Sequence, residues 1–239
     1  MKKIILSIFI TTLLISCGDD KVTLPRSVGT FNKVIVVTKA SLWETEVGKE
    51  IKKTFGELMV GLPQPESTLS VSQVAPNGFN SMMKSNRNIF VVEISDKENF
   101  TKNYNKYASP QTIVYLTAKD ELGLKAMVEK HHDEIIETFK KSDIKLLQNV
   151  FAEKRVDDSK YKTLQNLNVS LTIPKEFRTV DDTGDFLWLR QHLKSGIARG
   201  TGSNNILVYS LPLENEPKKI EDIIAMRNAI GEKHLPGSK

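Results

Sequence analysis

The chain has one cysteine, Cys17, and its position constrains the remainder more than any other residue does. It follows a basic start, Met1-Lys2-Lys3, a largely apolar run from Ile4 to Ile15, and the small residue Ser16. The run is shorter than the roughly 20 apolar residues of a spanning helix, and behind a basic front it reads as an export leader that is removed. Leu14-Ile15-Ser16-Cys17 has the pattern of a lipoprotein signal, in which the peptidase cuts before a cysteine whose thiol already carries a diacyl, palmitate-type lipid. Several chains on one residue make a durable anchor, since each buried CH₂ adds about 0.8 kcal/mol and one chain binds only marginally. The sequence therefore predicts a signal peptide over 1–16, a lipid on Cys17 and a body held outside the cytoplasm. A plain secretory leader with an incidental cysteine is the alternative.

A cysteine given to lipid leaves no thiol for a disulfide, a catalytic nucleophile or a Cys-ligated zinc site. Cleavage leaves about 220 residues, enough for one large domain or two small ones. No second long apolar run follows, so the lipid is the expected attachment. The formal charge of +5 includes Lys2 and Lys3 of the leader, which leaves a mild basic excess on the body. Its lysines are interleaved with acids, as in Lys125 to Lys130 and Lys218 to Asp222, where nucleic-acid binding would want a concentrated basic stripe. The expectation is no nucleic acid and no cofactor.

After Cys17, residues 17–30 read as a flexible tether with Asp19, Asp20, Lys21, Pro25 and Gly29. A β-branched run predicts a strand over 33–38. A helix should follow, with Ser41 as cap, Glu44 completing a capping box, and Leu42, Val47, Ile51 and Phe55 on one face up to Gly56. Residues 61–66, with Pro63 and Pro65, form a loop. Strands are expected at 69–74, 88–94 and 111–117, with a short helix within 77–85. Leu124, Val128, His131, Ile135 and Phe139 then step at helical spacing, and Leu146, Val150 and Phe151 resume beyond Ser142-Asp143, which fits one kinked helix or two in succession. The polar stretch 157–166 reads as a hinge between lobes over 31–156 and 167–239. The second lobe opens with alternation over 167–173, has strands at 186–189 and 206–209 around a Gly-rich stretch at 196–205, and closes with a helix over 220–230. Strands and helices cluster without a strict βαβ rhythm, which predicts an α+β fold with mixed or antiparallel sheets and packed helices in two lobes.

Candidate chemistry is sparse. His131-His132 project about 100° apart on a helix, whereas a helical chelate needs spacing of three or four, so an edge-of-core pair is the better reading and no metal is expected. Gly200-Thr-Gly-Ser-Asn-Asn205 matches neither a phosphate loop nor a nucleophile elbow, and Ser203 would need a base. No carboxylate pair is singled out by its spacing, so no catalytic residues are assigned. Trp43 beside Glu44, and Trp188 two residues before Arg190, pair an aromatic with a charge, although core packing explains tryptophans more often.

Several phrases occur in a telling order: the lipobox, Val34-Ile-Val-Val37, Leu42-Trp-Glu44, Val47-Gly48, Leu62-Pro-Gln-Pro-Glu66, Arg87-Asn-Ile89, Ser109-Pro-Gln111, Ile173-Pro174, Phe186-x-Trp188-x-Arg190 and Asn205-Ile-x-Val-Tyr209. Together they resemble the Bacteroidota lipoprotein family named domain of unknown function 4837, over nearly all of the body. The resemblance implies location and lineage; it brings no catalytic residues. Members continue past the segment Arg227 to Gly237, so the resemblance implies a shortened second lobe with an uncovered edge or face. Asp19-Asp20 resembles the acidic tether that sends lipoproteins of this lineage to the outer leaflet of the outer membrane, and a merely polar linker is equally compatible.

These readings favour a non-enzymatic, membrane-anchored lipoprotein of the cell envelope, at the outer membrane and facing periplasm or cell surface, that binds a small ligand or an envelope protein or supports an assembly. The candidate surface is Trp43, Glu44, Gln64, Glu66, Arg87, Gln111, Trp188 and Arg190. The alternative is an envelope hydrolase acting on glycan or peptide, with carboxylates in a cleft between the lobes. A degenerate copy without independent function is a third reading.

Overall fold

The structure, a computed structural model, describes residues 23–62, 64–194, 201–211 and 219–235. Cys17, its leader and residues 195–200 of the Gly-rich stretch lie outside the described residues. The β-branched run folds as β1 (Lys33–Val37), second from one edge of a five-stranded sheet with β2 (Ser70–Val74), β3 (Asn88–Ile94), β4 (Asn99–Tyr104) and β5 (Thr112–Ala118), in the order β2-β1-β3-β5-β4. β1, β2, β3 and β5 run parallel, and β4 closes one edge antiparallel to β5. Parallel neighbours need crossovers. Here α1 (Ala40–Trp43) and α2 (Glu46–Gly56) join β1 to β2, a 3₁₀ turn and α3 (Ser81–Lys84) join β2 to β3, and α4 (Glu121–Lys130) and α5 (His132–Glu153) follow β5.

One sheet face, with Val34, Val36, Phe90, Val92, Val114 and Leu116, packs against Val47, Ile51 and Phe55 of α2, Leu124 and Val128 of α4, and Ile135 and Phe139 of α5. The rings of Phe55, Phe90 and Phe139 meet with centroids 5.8–6.4 Å apart. The opposite face, Ile35, Val37, Ile89 and Ile113, has a thinner cover that includes Phe79 and Tyr107. A second, antiparallel sheet has the order β6 (Arg178–Asp182), β7 (Phe186–Lys194), β8 (Thr201–Tyr209), and a helix α7 (Ile220–His234) follows it. Leu187, Leu189, Ile206 and Val208 pack under Tyr161 and Leu164 of the segment holding α6 (Lys162–Leu167). The fold is α+β, with one mixed and one antiparallel sheet.

Several local expectations are corrected. The first helix is two: Thr45, not Ser41, caps α2 by accepting from Val47 N–H. A Cβ on Gly48 would lie 1.8 Å from the Trp43 carbonyl oxygen, so only glycine allows this tight corner. The long helical stretch is two helices in succession, but the break falls at His131; Ser142 and Asp143 lie within the unbroken α5, and Asp143 is buried. Residues 157–166, expected as a hinge, instead hold a 3₁₀ turn and most of α6, with Tyr161, Thr163 and Leu164 buried. The alternating stretch 167–173 joins no ladder. Asp158 accepts Leu171 N–H at 2.9 Å, and Ile173 C=O accepts Val156 N–H at 2.8 Å, so local groups satisfy the backbone a strand partner would have taken. The polar strands β4 and β6 were not foreseen, and residues 201–205 belong to β8.

Candidate functional site

The segment before β1 is bonded to the body. Ser109 N–H donates to Pro25 C=O (2.9 Å), Ser27 N–H to Ser109 C=O (3.1 Å), Val28 N–H to Ser85 C=O (2.9 Å) and Arg87 N–H to Val28 C=O (2.9 Å). Residues 25–28 of the expected tether thus line the end of the sheet where β3 and β5 begin. Arg87 secures them from inside: its Nη groups donate to the Gly29 and Thr30 carbonyls, and its Nε to Asp143 Oδ1 at 2.7 Å. Asp143 also accepts from Asn88 Nδ2 (2.9 Å) and Asn32 N–H (2.7 Å). Gln111 is likewise inward, donating to the Lys84 and Asn86 carbonyls and accepting Tyr107 N–H. Both candidates are buried, and their polar groups are engaged by the chain itself.

Beside this network, α5 runs along edge strand β4 and leaves an open groove of about 660 Å³. One wall is Lys102 and Tyr104 of β4, the end is the turn from Asn105 to Thr112, and the other wall is the α5 stripe from Asp133 through Glu137, Lys141 and Lys145 to Asn149. The volume lies within the range of small-ligand sites. Its charges are paired: Lys102 donates across the groove to Glu134 at 2.6 Å, and Lys141 donates to Glu137 along α5. The bond from Lys102, with a second from His131, holds the Glu134 carboxyl below the usual range, and the bond from Lys141 does the same for Glu137. Both are therefore anionic acceptors near neutral pH. Sequence reasoning missed this groove because Glu and Lys at helical spacing read as an ordinary solvated face; alternation of Phe100, Lys102 and Tyr104 was the available sign of the strand opposite.

Among the other candidates, Trp188 and Arg190 are brought together. They share the face of β7 turned away from the second core, where Trp188 Nε1 donates to Asn205 Oδ1 (2.9 Å) and Arg190 pairs across the ladder with Arg178 and Asn205. Ser203 stands opposite His192, whose imidazole meets Arg178 and is kept below its ordinary pKa by that guanidinium, by burial and by Arg190. No carboxylate orients that histidine among the described residues, so the pair lacks the third member of a triad. Trp43 is half-buried against the first core, with Lys52 Nζ 4.6 Å above its ring; Glu44, Gln64 and Glu66 are exposed. The eight positions thus fall in separate places. His131 stacks on Phe100 at 4.0 Å between centroids, while His132 bonds Glu57 and Asp133. No group of three metal-ligating side chains occurs among the described residues.

Residues 27–152, more than half of the chain, match the family model described as Domain of unknown function (DUF8532). The chain belongs to that family. Its DUF8532 portion contains the five-stranded sheet, the N-terminal network and the groove. Residues 156–239 match a second model, Domain of unknown function (DUF4837), which bears out the resemblance to that family over the second part of the chain and not over nearly all of the body. The two matches meet where α5 ends at Glu153 and the Arg155–Pro174 bridge opens the second lobe. Comparison with curated proteins and with solved structures gives no match.

Proposed function

We propose that the chain is a cell-envelope lipoprotein, anchored through acylated Cys17, that binds a ligand or an envelope partner without turning it over, and that the β4–α5 groove is where it binds. The carrying observation is a ligand-sized groove whose Glu134 and Glu137 carboxylates are both ion-paired and held ionised. Such a wall offers alternating donors and acceptors to a polar, extended ligand, with Tyr104 as an aromatic contact. A glycosidase built on a carboxylate pair needs one carboxylic acid kept protonated near neutral pH, usually by burial, and the pairing of Glu134 and Glu137 works the opposite way. The outer-membrane placement rests on the leader and on Asp19-Asp20.

The test is an affinity capture of the natively lipidated protein from gently solubilised envelopes, compared with Lys102→Glu and Tyr104→Ala. The reading expects a reproducible partner or ligand, lost with either groove substitution while the circular dichroism spectrum stays unchanged. Capture that is indifferent to both substitutions removes the groove from the proposal.

A further inference from the structure

Among the described residues, the N-terminal segment and the stretches it bonds to carry few carboxylates. The chain has 29 Asp and Glu, yet none lies within residues 21–43, 67–92 or 99–119. These stretches meet at one end of the first sheet, where residues 25–28 bond to Ser85, Arg87 and Ser109, and Gln111 ties the β4–β5 turn to Lys84 and Asn86. Among the described residues, the carboxylate hydrogen-bonded into this network, Asp143, is buried against Arg87, and those of the β4–α5 groove lie on its far side, the α5 wall. Lys84 and Lys106 flank the Tyr107 ring, their Nζ atoms 5.4 and 5.2 Å from its centroid, and Lys106 also donates to Tyr115 Oη at 3.0 Å. Met82 (70% exposed) and Val28 (50%) stand open to solvent near them. Cations on apolar stems, beside tyrosines and isolated apolar side chains, are the composition that settles at a lipid headgroup boundary.

We propose that this end of the molecule lies against an anionic phospholipid surface, with Lys84 and Lys106 on the headgroups and Met82 and Val28 at their level. The inference rests on the reading that Cys17 is acylated. Pro25, where bonding to the body begins, follows Cys17 by eight residues, a reach of at most about 29 Å even fully extended. A lipid on Cys17 therefore keeps this end nearest the bilayer, and each lysine close to an anionic surface favours the docked orientation by about fivefold. Asp96, which follows β3 at the other end of the strands, faces away.

The experiment uses the full lipidated chain in vesicles of phosphatidylethanolamine and phosphatidylglycerol that also contain a nitroxide-bearing lipid. Met82→Cys, Val28→Cys and Asp96→Cys each carry one fluorophore, since the acylated Cys17 does not react. Quenching is expected at positions 82 and 28 and not at 96. Lys84→Gln with Lys106→Gln should lower the docked-to-undocked ratio about twentyfold, and replacing phosphatidylglycerol by phosphatidylcholine should have a similar effect without any mutation. A chain that carries lipid by mass spectrometry and floats with vesicles, yet shows equal quenching at all three positions, overturns the orientation while leaving the anchor. A chain without lipid that stays behind on flotation overturns both.

Discussion

Asp143 is a buried carboxylate with three donors around it, and Arg87, its ionic partner, is 56 residues away in sequence. An aspartate in an apolar helical stripe normally marks an interruption, which is how it reads along the chain; nothing local indicates that a buried guanidinium will meet it. Arg87 was legible as notable through the phrase Arg87-Asn-Ile89, but its inward direction depends on residues 29 and 30 folding over it. Removing one member of such a pair strands the other charge in the interior, which costs about 3–5 kcal/mol, whereas an apolar pair of similar volume restores much of the loss. Asp143→Ala is therefore expected to lower urea stability by about that amount, with Arg87→Met plus Asp143→Leu clearly less damaging than either single change. Strict additivity in this cycle would mean that the two side chains do not depend on each other.

Elements with strong internal patterns were legible: β1, β3 and β5, whose buried residues are mostly β-branched or aromatic, and α2, whose stripe ends in Phe55 and Gly56. Strands whose partners supply the order were not. β4 reads as Asn-Phe-Thr-Lys-Asn-Tyr and β6 as Arg-Thr-Val-Asp-Asp, both too polar to declare themselves without a neighbouring strand. The groove was lost with β4, since half of its walls come from that strand. Two predictions belong at this scale. Gly48→Ala pushes a methyl group into the Trp43 carbonyl and should cost about 1–3 kcal/mol in urea unfolding, whereas Gly56→Ala, with nothing within 4 Å, should stay within about 0.5 kcal/mol. Asp182 of β6 holds the start of α6, accepting Lys162 N–H (2.8 Å), Thr163 N–H (3.0 Å) and Thr163 Oγ1 (2.7 Å). Burial works to raise its pKa, but the bonds from Thr163 and Lys162 outweigh that and leave it lowered. A carboxyl lowered on folding contributes stability above its unfolded value, about 3.9, and loses it as pH falls through the folded one. The stability gap between wild type and Asp182→Asn should thus be largest at neutral pH and shrink below about pH 4, read from urea midpoints across that range.

At the scale of the whole molecule, three apolar clusters form, one on each face of the first sheet and a third beneath β7 and β8. Two groups of hydrophobic runs were legible in the sequence; the role of 157–166 was not, because the stretch read as a hinge supplies Tyr161 and Leu164 to the apolar cluster beneath β7 and β8. α7 reaches back, with Arg227 donating to Gly61 C=O and Ile224 close to Gly61, but none of its residues is buried. Contacts so exposed couple the lobes weakly, so each should unfold as its own cooperative unit. Calorimetry should then resolve two transitions, and the variants above assign them. Asp143→Ala, inside the first lobe, should lower one midpoint and leave the other in place. Asp182→Ala removes the cap of α6 in the second lobe, a loss of about 1–2 kcal/mol. In a lobe of 60–100 residues each kcal/mol moves the midpoint by about 4–8 °C. The Asp182→Ala shift should therefore fall wholly on the transition that Asp143→Ala spares. A single endotherm that moves with either substitution would show instead that the lobes fold as one unit, and that the exposed α7 contacts carry far more coupling than their burial indicates.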